Sequence, residues 1–105
     1  MPLSPTQLSL NKLKKDGFET IQVVEVWIPF SRTRRDLFHA WDILGVKDGE
    51  TYAIQTTTKA NINARIKKIE NNEHLANLRK ANWNLLVHGW HKVGRFWECK
   101  EVDLS

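Results

Sequence analysis

Asp42 and Gln55 stand on either side of Lys47-Asp48-Gly49-Glu50, and that placement is where chemistry is first legible in this chain. Asp-Gly is a strong two-residue hairpin signal, because both turn positions want positive φ. Two strand-like runs, Trp41 to Val46 and Thr51 to Thr57, flank the turn. If Lys47 pairs with Glu50, counting back pairs Val46 with Thr51, Leu44 with Ala53 and Asp42 with Gln55. Directly opposed residues point to one side of a sheet with Cβ atoms roughly 5 Å apart. Thr57, two residues beyond Gln55, shares that side, whereas a one-residue bulge would turn Asp42 and Gln55 to opposite faces. An acid beside an amide oxygen suits a hard cation. Mg²⁺ takes oxygen ligands, uses one or two carboxylates, and keeps waters and substrate phosphates for the rest. Asp42 would supply the negative charge and Gln55 only a neutral oxygen, a weaker ligand than Glu. An ion held there activates water and stabilises the charge that builds on a phosphodiester under attack.

Basic residues that could meet such a substrate lie nearby in sequence. Arg34 and Arg35 sit in the polar stretch Ser31 to Asp36, and a guanidinium fork matches phosphate oxygens. A solvated loop is the competing reading, with Asp36 orienting it by pairing Arg34 or Arg35. Arg65 is different: it interrupts the apolar stripe Ile62, Ile66, Ile69, and an arginine there needs a partner or a polar cleft. Asp42 would suffice, and so would a phosphate. Lys67 and Lys68 read as a solvated helix face. His88 and His91, three apart on a strand, point to opposite faces, which argues against shared ligation. His39 reads as structural or substrate-adjacent. The tryptophans at 27, 41, 83, 90 and 97 read mostly as core, and one left exposed could stack on a base.

The elements that must position these groups follow from local signals. Ser4-Pro5 starts a helix to about Lys15, which Asp16-Gly17 ends. Thr20 to Ile28 reads as one strand closed by Pro29. After the hairpin, Asn61 to Asn71 and Glu73 to Ala81 read as helices, and Trp83 to His91 and Arg95 to Val102 as strands around Gly94. The order α-β-β-β-α-α-β-β implies one α/β domain spanning 1–105 with a mixed sheet, since the link from the third strand through the helices is long enough to run parallel.

Composition bounds the rest. The 105 residues include 16 Lys and Arg against 12 Asp and Glu, a formal charge of +4 that favours polyanion partners. Cys99 is alone, so neither a disulfide framework nor a cysteine zinc site can be built. No apolar run is long enough for a membrane span, and the N-terminus lacks a secretory profile, which leads us to expect a chain that stays where it is made.

The run Arg35-Asp36-Leu37-Phe38-His39-Ala40-Trp41-Asp42-Ile43-Leu44, a short turn, then Ala53-Ile54-Gln55-Thr56-Thr57-Thr58, resembles the PD-(D/E)XK nuclease superfamily, closest to its small resolvase-like branch of phages and prophages. Asn63 to Ile69 resembles the helix after the motif in that branch. The resemblance covers Phe18 to Ile69. It implies a restriction-endonuclease-like mixed sheet flanked by helices and Mg²⁺- or Mn²⁺-dependent hydrolysis of DNA, branched DNA included. A homodimer and the cytoplasm of a bacterium or phage-infected cell follow from the same likeness. It matches Asp42 to the hairpin aspartate, Gln55 to the acidic or Gln position, and Thr57 to the lysine position. Thr57 cannot carry a charge, so Lys59 or Arg65 would stand in for that lysine. Glu19 or Glu25 would stand in for a further acidic ligand that the first helix lacks. The alternative is a silent nuclease fold kept as a module binding nucleic acid or protein, the latter through the Trp-rich C-terminal strands.

Overall fold

The computed structural model describes residues 3–105. Helix α1 (Pro5–Lys15) begins where Ser4 accepts a hydrogen bond from the Gln7 N–H. It ends in a lysine-rich turn at Gly17, whose φ of +97° suits glycine. Strands β1 (Thr20–Val23), β2 (Val26–Ile28), β3 (Thr33–Arg35), β4 (Ile43–Lys47) and β5 (Glu50–Thr58) follow. After a 3-10 turn over Lys59–Asn61 come helices α2 (Ile62–Glu70) and α3 (Leu75–Lys80), then strands β6 (Asn84–Val93) and β7 (Phe96–Asp103).

Five strands form one mixed sheet in the order β1-β4-β5-β6-β7, with only β5 and β6 parallel. This is an α/β architecture with helices on both faces. On one face Leu13 of α1 packs with Phe18, Ile43 and Ile54; on the other, Ile62 and Ile69 of α2 and Leu75 and Leu78 of α3 cover Ala53, Leu85 and Val87. The alternation along β5 and β6 produces both layers, since successive side chains leave opposite sides of the sheet. Gly89 lets α2 approach: a Cβ there would lie 2.7 Å from Ile62 Cδ1 and 3.3 Å from the Lys59 Cα. No helix among the described residues is long and apolar enough to cross a membrane.

The hairpin has the expected register, Lys47 with Glu50 through Leu44 with Ala53, and Asp48 and Gly49 take φ of 54° and 78° at its turn. Three local expectations change. The run Thr20 to Ile28 is two strands rather than one, because its partner changes. Val24 N–H still donates to the Asp42 carbonyl at 2.8 Å, but β4 ends there and β2 pairs instead with β3. The basic loop is therefore half of a two-stranded ribbon. Trp41 lies outside β4 and closes a turn against Leu37. The two residues exchange backbone bonds of 2.9 and 3.0 Å, with Phe38 and His39 at positive φ between them. Finally, β5 stops at Thr58, so Lys59 opens the 3-10 turn and does not share the strand parity of Gln55.

Candidate metal and phosphate site

Three carboxylates meet where β1, the ribbon and β4 separate, and the backbone pairing puts them there. Because Leu37 bonds Trp41, the preceding Asp36 falls opposite Asp42. The ribbon register, Val26 with Arg35, places Glu25 opposite Asp36 when carried one residue further. Ligand oxygens of Glu25, Asp36 and Asp42 all lie within 4.8 Å of one another, with Asp42 buried and the other two half-buried.

Asp42 is held firmly. Its Oδ2 accepts from Gln55 Nε2 at 2.7 Å, the Thr56 N–H at 2.9 Å and Thr56 Oγ1 at 3.1 Å. The Gln55 nitrogen also donates to the Thr56 carbonyl, at 3.1 Å. Both contacts need a donor, which orients the amide. The expected neighbours are thus in contact, although Asp42 lies just beyond the end of β4 and its N–H donates to Ile54 instead. Their relation differs from the expected one: Gln55 presents its nitrogen to the acid, acting as a positioning residue. Burial raises the Asp42 pKa to about 6, and the charges of Asp36 and Glu25 push the same way against the Thr56 hydrogen bonds.

The three acids line an open cavity of about 670 Å³ that Gln55 and Thr56 also border. Arg34 and Arg65 are its cations, and Ser4 to Thr6 bring in the start of α1, whose exposed N–H groups favour anions. Thr6 and Thr56 hydroxyls are 3.0 Å apart, which ties that helix to the strand carrying the site. Trp27 forms part of the wall while remaining 53% exposed. Arg34 pairs with Glu25 and not with Asp36, so the expected role of Asp36 as a loop-orienting partner of Arg34 or Arg35 gives way to a place in the acidic cluster.

The remaining sequence-predicted residues divide plainly. Arg65 reaches the polar cleft that its place in an apolar stripe requires. Arg35 is exposed on the ribbon, outside the cavity wall. Thr57 is buried opposite Gly89, also away from the cavity, and exposed Lys59 stands outside it as well. Glu19 lies in a different, shallow cleft beside β1. Of the clustered acids, Glu25 was expected only as a stand-in ligand and Asp36 only as a partner of the loop arginines; the usable signal for grouping Asp36 with Asp42 was the short Leu37–Trp41 turn with an aspartate immediately outside each end.

An all-oxygen set of three acids fits a hard divalent cation such as Mg²⁺ or Mn²⁺, where a softer ion would favour nitrogen or sulfur donors. Burial first, and the neighbouring Asp36 and Glu25 charges after it, disfavour the Asp42 carboxylate, and a bound cation would offset both. Compared with known proteins, the chain matches no family model, no curated protein and no solved structure.

Proposed function

We propose that this protein is a divalent-metal-dependent DNA endonuclease with a restriction-endonuclease-like fold of the PD-(D/E)XK kind, with branched DNA among its substrates. The observation that carries the reading is the clustering of Glu25, Asp36 and Asp42 in one cavity with Arg34 and Arg65. Acids alone would suit many cations; acids facing guanidinium groups suit a cation that shares its ligands with a phosphate.

Asp42, Asp36 and Glu25 would hold Mg²⁺ or Mn²⁺, and the bound ion would supply an activated water and charge stabilisation at the phosphorus. The protein's own contribution is placement. Gln55 and the Thr56 N–H and hydroxyl fix the Asp42 carboxylate. Arg65 neutralises a non-bridging phosphate oxygen from α2. Arg34 is shared: paired with Glu25 in the free protein, it turns to the phosphate when Glu25 takes a ligand role. Arginine stays protonated and therefore serves as electrostatic support, not as a base.

A second reading, a nuclease fold that binds DNA without cutting it, is favoured by one observation. Among the described residues no lysine borders the cavity, and Thr57 is sealed away from it. Incubation with linear duplex and four-way-junction DNA in Mg²⁺ and in Mn²⁺ separates the readings. The nuclease reading expects metal-dependent cleavage that Asp42→Ala abolishes. Binding without cleavage on every substrate would leave the second reading standing.

A further inference from the structure

We infer that the β2–β3 ribbon is a DNA-gripping arm whose tip residue, Phe30, wedges between bases within about three nucleotides of the phosphate held at the acidic cluster. This rests on the DNA reading above and adds to it a substrate contact and a distortion of the bound strand.

The ribbon is built unlike the rest of the molecule. Its strands pack mainly against each other, apart from the two-layered core. Four residues, Pro29 to Arg32, form the turn, where Phe30 is 102% exposed and Arg32 takes a φ of 53°. Val26 and Trp27 are also exposed, at 56% and 53%. One exposed apolar side chain is ordinary, but three gathered on one short ribbon, Val26, Trp27 and Phe30, are the kind of apolar group that marks a contact surface.

Charge selects the occupant. Between Val26 and Arg35 the ribbon carries Arg32, Arg34 and Arg35 and no acid. A second copy of a chain with a formal charge of +4 would be repelled by this arm, whereas a polyanion would be drawn to it. Geometry narrows the choice further. Trp27 and Arg34 are directly paired, and both border the cavity that holds the acids. That face therefore leads into a site for phosphate, which a flat lipid surface could not enter. Two-stranded ribbons fit the grooves of nucleic acids, and apolar wedges there unstack base steps.

The spacing makes the proposal specific. Phe30 lies three positions beyond Trp27, with β2 ending at Ile28, so the two are at most about 10 Å apart along the chain, and successive nucleotides of one strand are about 3.4 Å apart. With Trp27 beside the reacting phosphate, the wedge falls within about three nucleotides of it on that strand. Trp27 itself would stack on a base nearer the site.

The test is fluorescence of 2-aminopurine, which brightens when unstacked, moved one position at a time along duplex and junction DNA. It is read in EDTA with the full chain and with Phe30→Ala, which exposed Phe30 allows without unfolding. We expect brightening confined to one or two positions with wild type and its loss in Phe30→Ala, with about tenfold weaker binding. Equal brightening and affinity in the two proteins would overturn the wedge, and metal-dependent cleavage lost in Asp42→Ala would then show that the nuclease reading survives it. Phe30-dependent dimerisation or binding to anionic vesicles without DNA binding would overturn both the arm and its DNA partner.

Discussion

The side-chain amide nitrogen of Gln55 donates to Oδ2 of Asp42 across 2.7 Å, so the two hairpin neighbours are joined to each other before any ligand arrives. That bond leaves Gln55 orienting the acid, and in the proposed metal site the ligand role would pass to Glu25 and Asp36, whose oxygens lie within 4.8 Å of Asp42's.

Gln55→Glu should therefore destabilise the metal-free protein. The substitution sets a carboxylate where a donor now stands, costing about 1–3 kcal/mol. Mg²⁺ should recover most of the loss by pairing with the added charge. Thermal melts with and without Mg²⁺ read both effects, and an unchanged melt in EDTA would contradict the Asp42 contact.

Asp42 also makes stability depend on pH in a known direction. Its folded pKa is raised from 3.8 to about 6, so the protonated acid favours folding below 3.8 and that contribution fades as pH rises through 6. Asp42→Asn keeps an acceptor oxygen and cannot ionise. In EDTA it should match wild type near pH 4 and exceed it at pH 8 by about 2–3 kcal/mol. Adding Mn²⁺ should close the gap by stabilising wild type alone. Urea titrations at the two pH values measure the difference.

Ser9, His88 and Glu101 form a chain that resembles a hydrolytic triad but is sealed. Trp90 Nε1 donates to Ser9 Oγ at 2.8 Å, and Ser9 Oγ lies 2.9 Å from His88 Nδ1. His88 Nε2 is 3.1 Å from Glu101, while Ser9 and His88 are both 0% exposed. The chain fastens α1 to β6. Ser9→Ala should cost about 1–3 kcal/mol by orphaning buried polar groups, and should not alter the proposed DNA cleavage. Burial lowers the His88 pKa below 6.5 despite Glu101. The folded state then resists the proton, so stability is whole above 6.5 and falls as pH drops from there through the folded pKa. His88→Gln should flatten that acid limb, measured by melts from pH 7 down to 5.

Gly89→Ala should destabilise by about 1–3 kcal/mol, since the new methyl meets Ile62 and the Lys59 backbone. The strain falls on the start of α2, the helix carrying Arg65. Ile62→Val in the same chain should restore part of the loss, because it removes the Cδ1 atom that lies 2.7 Å from the new Cβ. Chemical denaturation of both variants tests this, and an additive pair would contradict the contact.

Much of this arrangement was legible in the residues because local chemistry decides it. Asp48-Gly49 dictates the hairpin and its register, and an arginine among isoleucines announces a polar cleft beside α2. The break at Val24-Glu25 was hidden, because Ile, Val and Trp continue across it and strand propensity carries no record of a change of partner. Glu25 could be named as a candidate acid, but its meeting with Asp36 and Asp42 stayed hidden for the same reason, as that approach depends on the ribbon leaving the sheet. Lys59 was misplaced by extending strand parity past Thr58, where the chain turns to bring Ile62 over Gly89.

Anomalous diffraction from crystals soaked in Mn²⁺ tests the central claim most directly. We expect one strong peak within bonding distance of Glu25, Asp36 and Asp42, lost in Asp42→Ala. A saturated soak with no peak there, in crystals whose cavity is open to solvent, would contradict it.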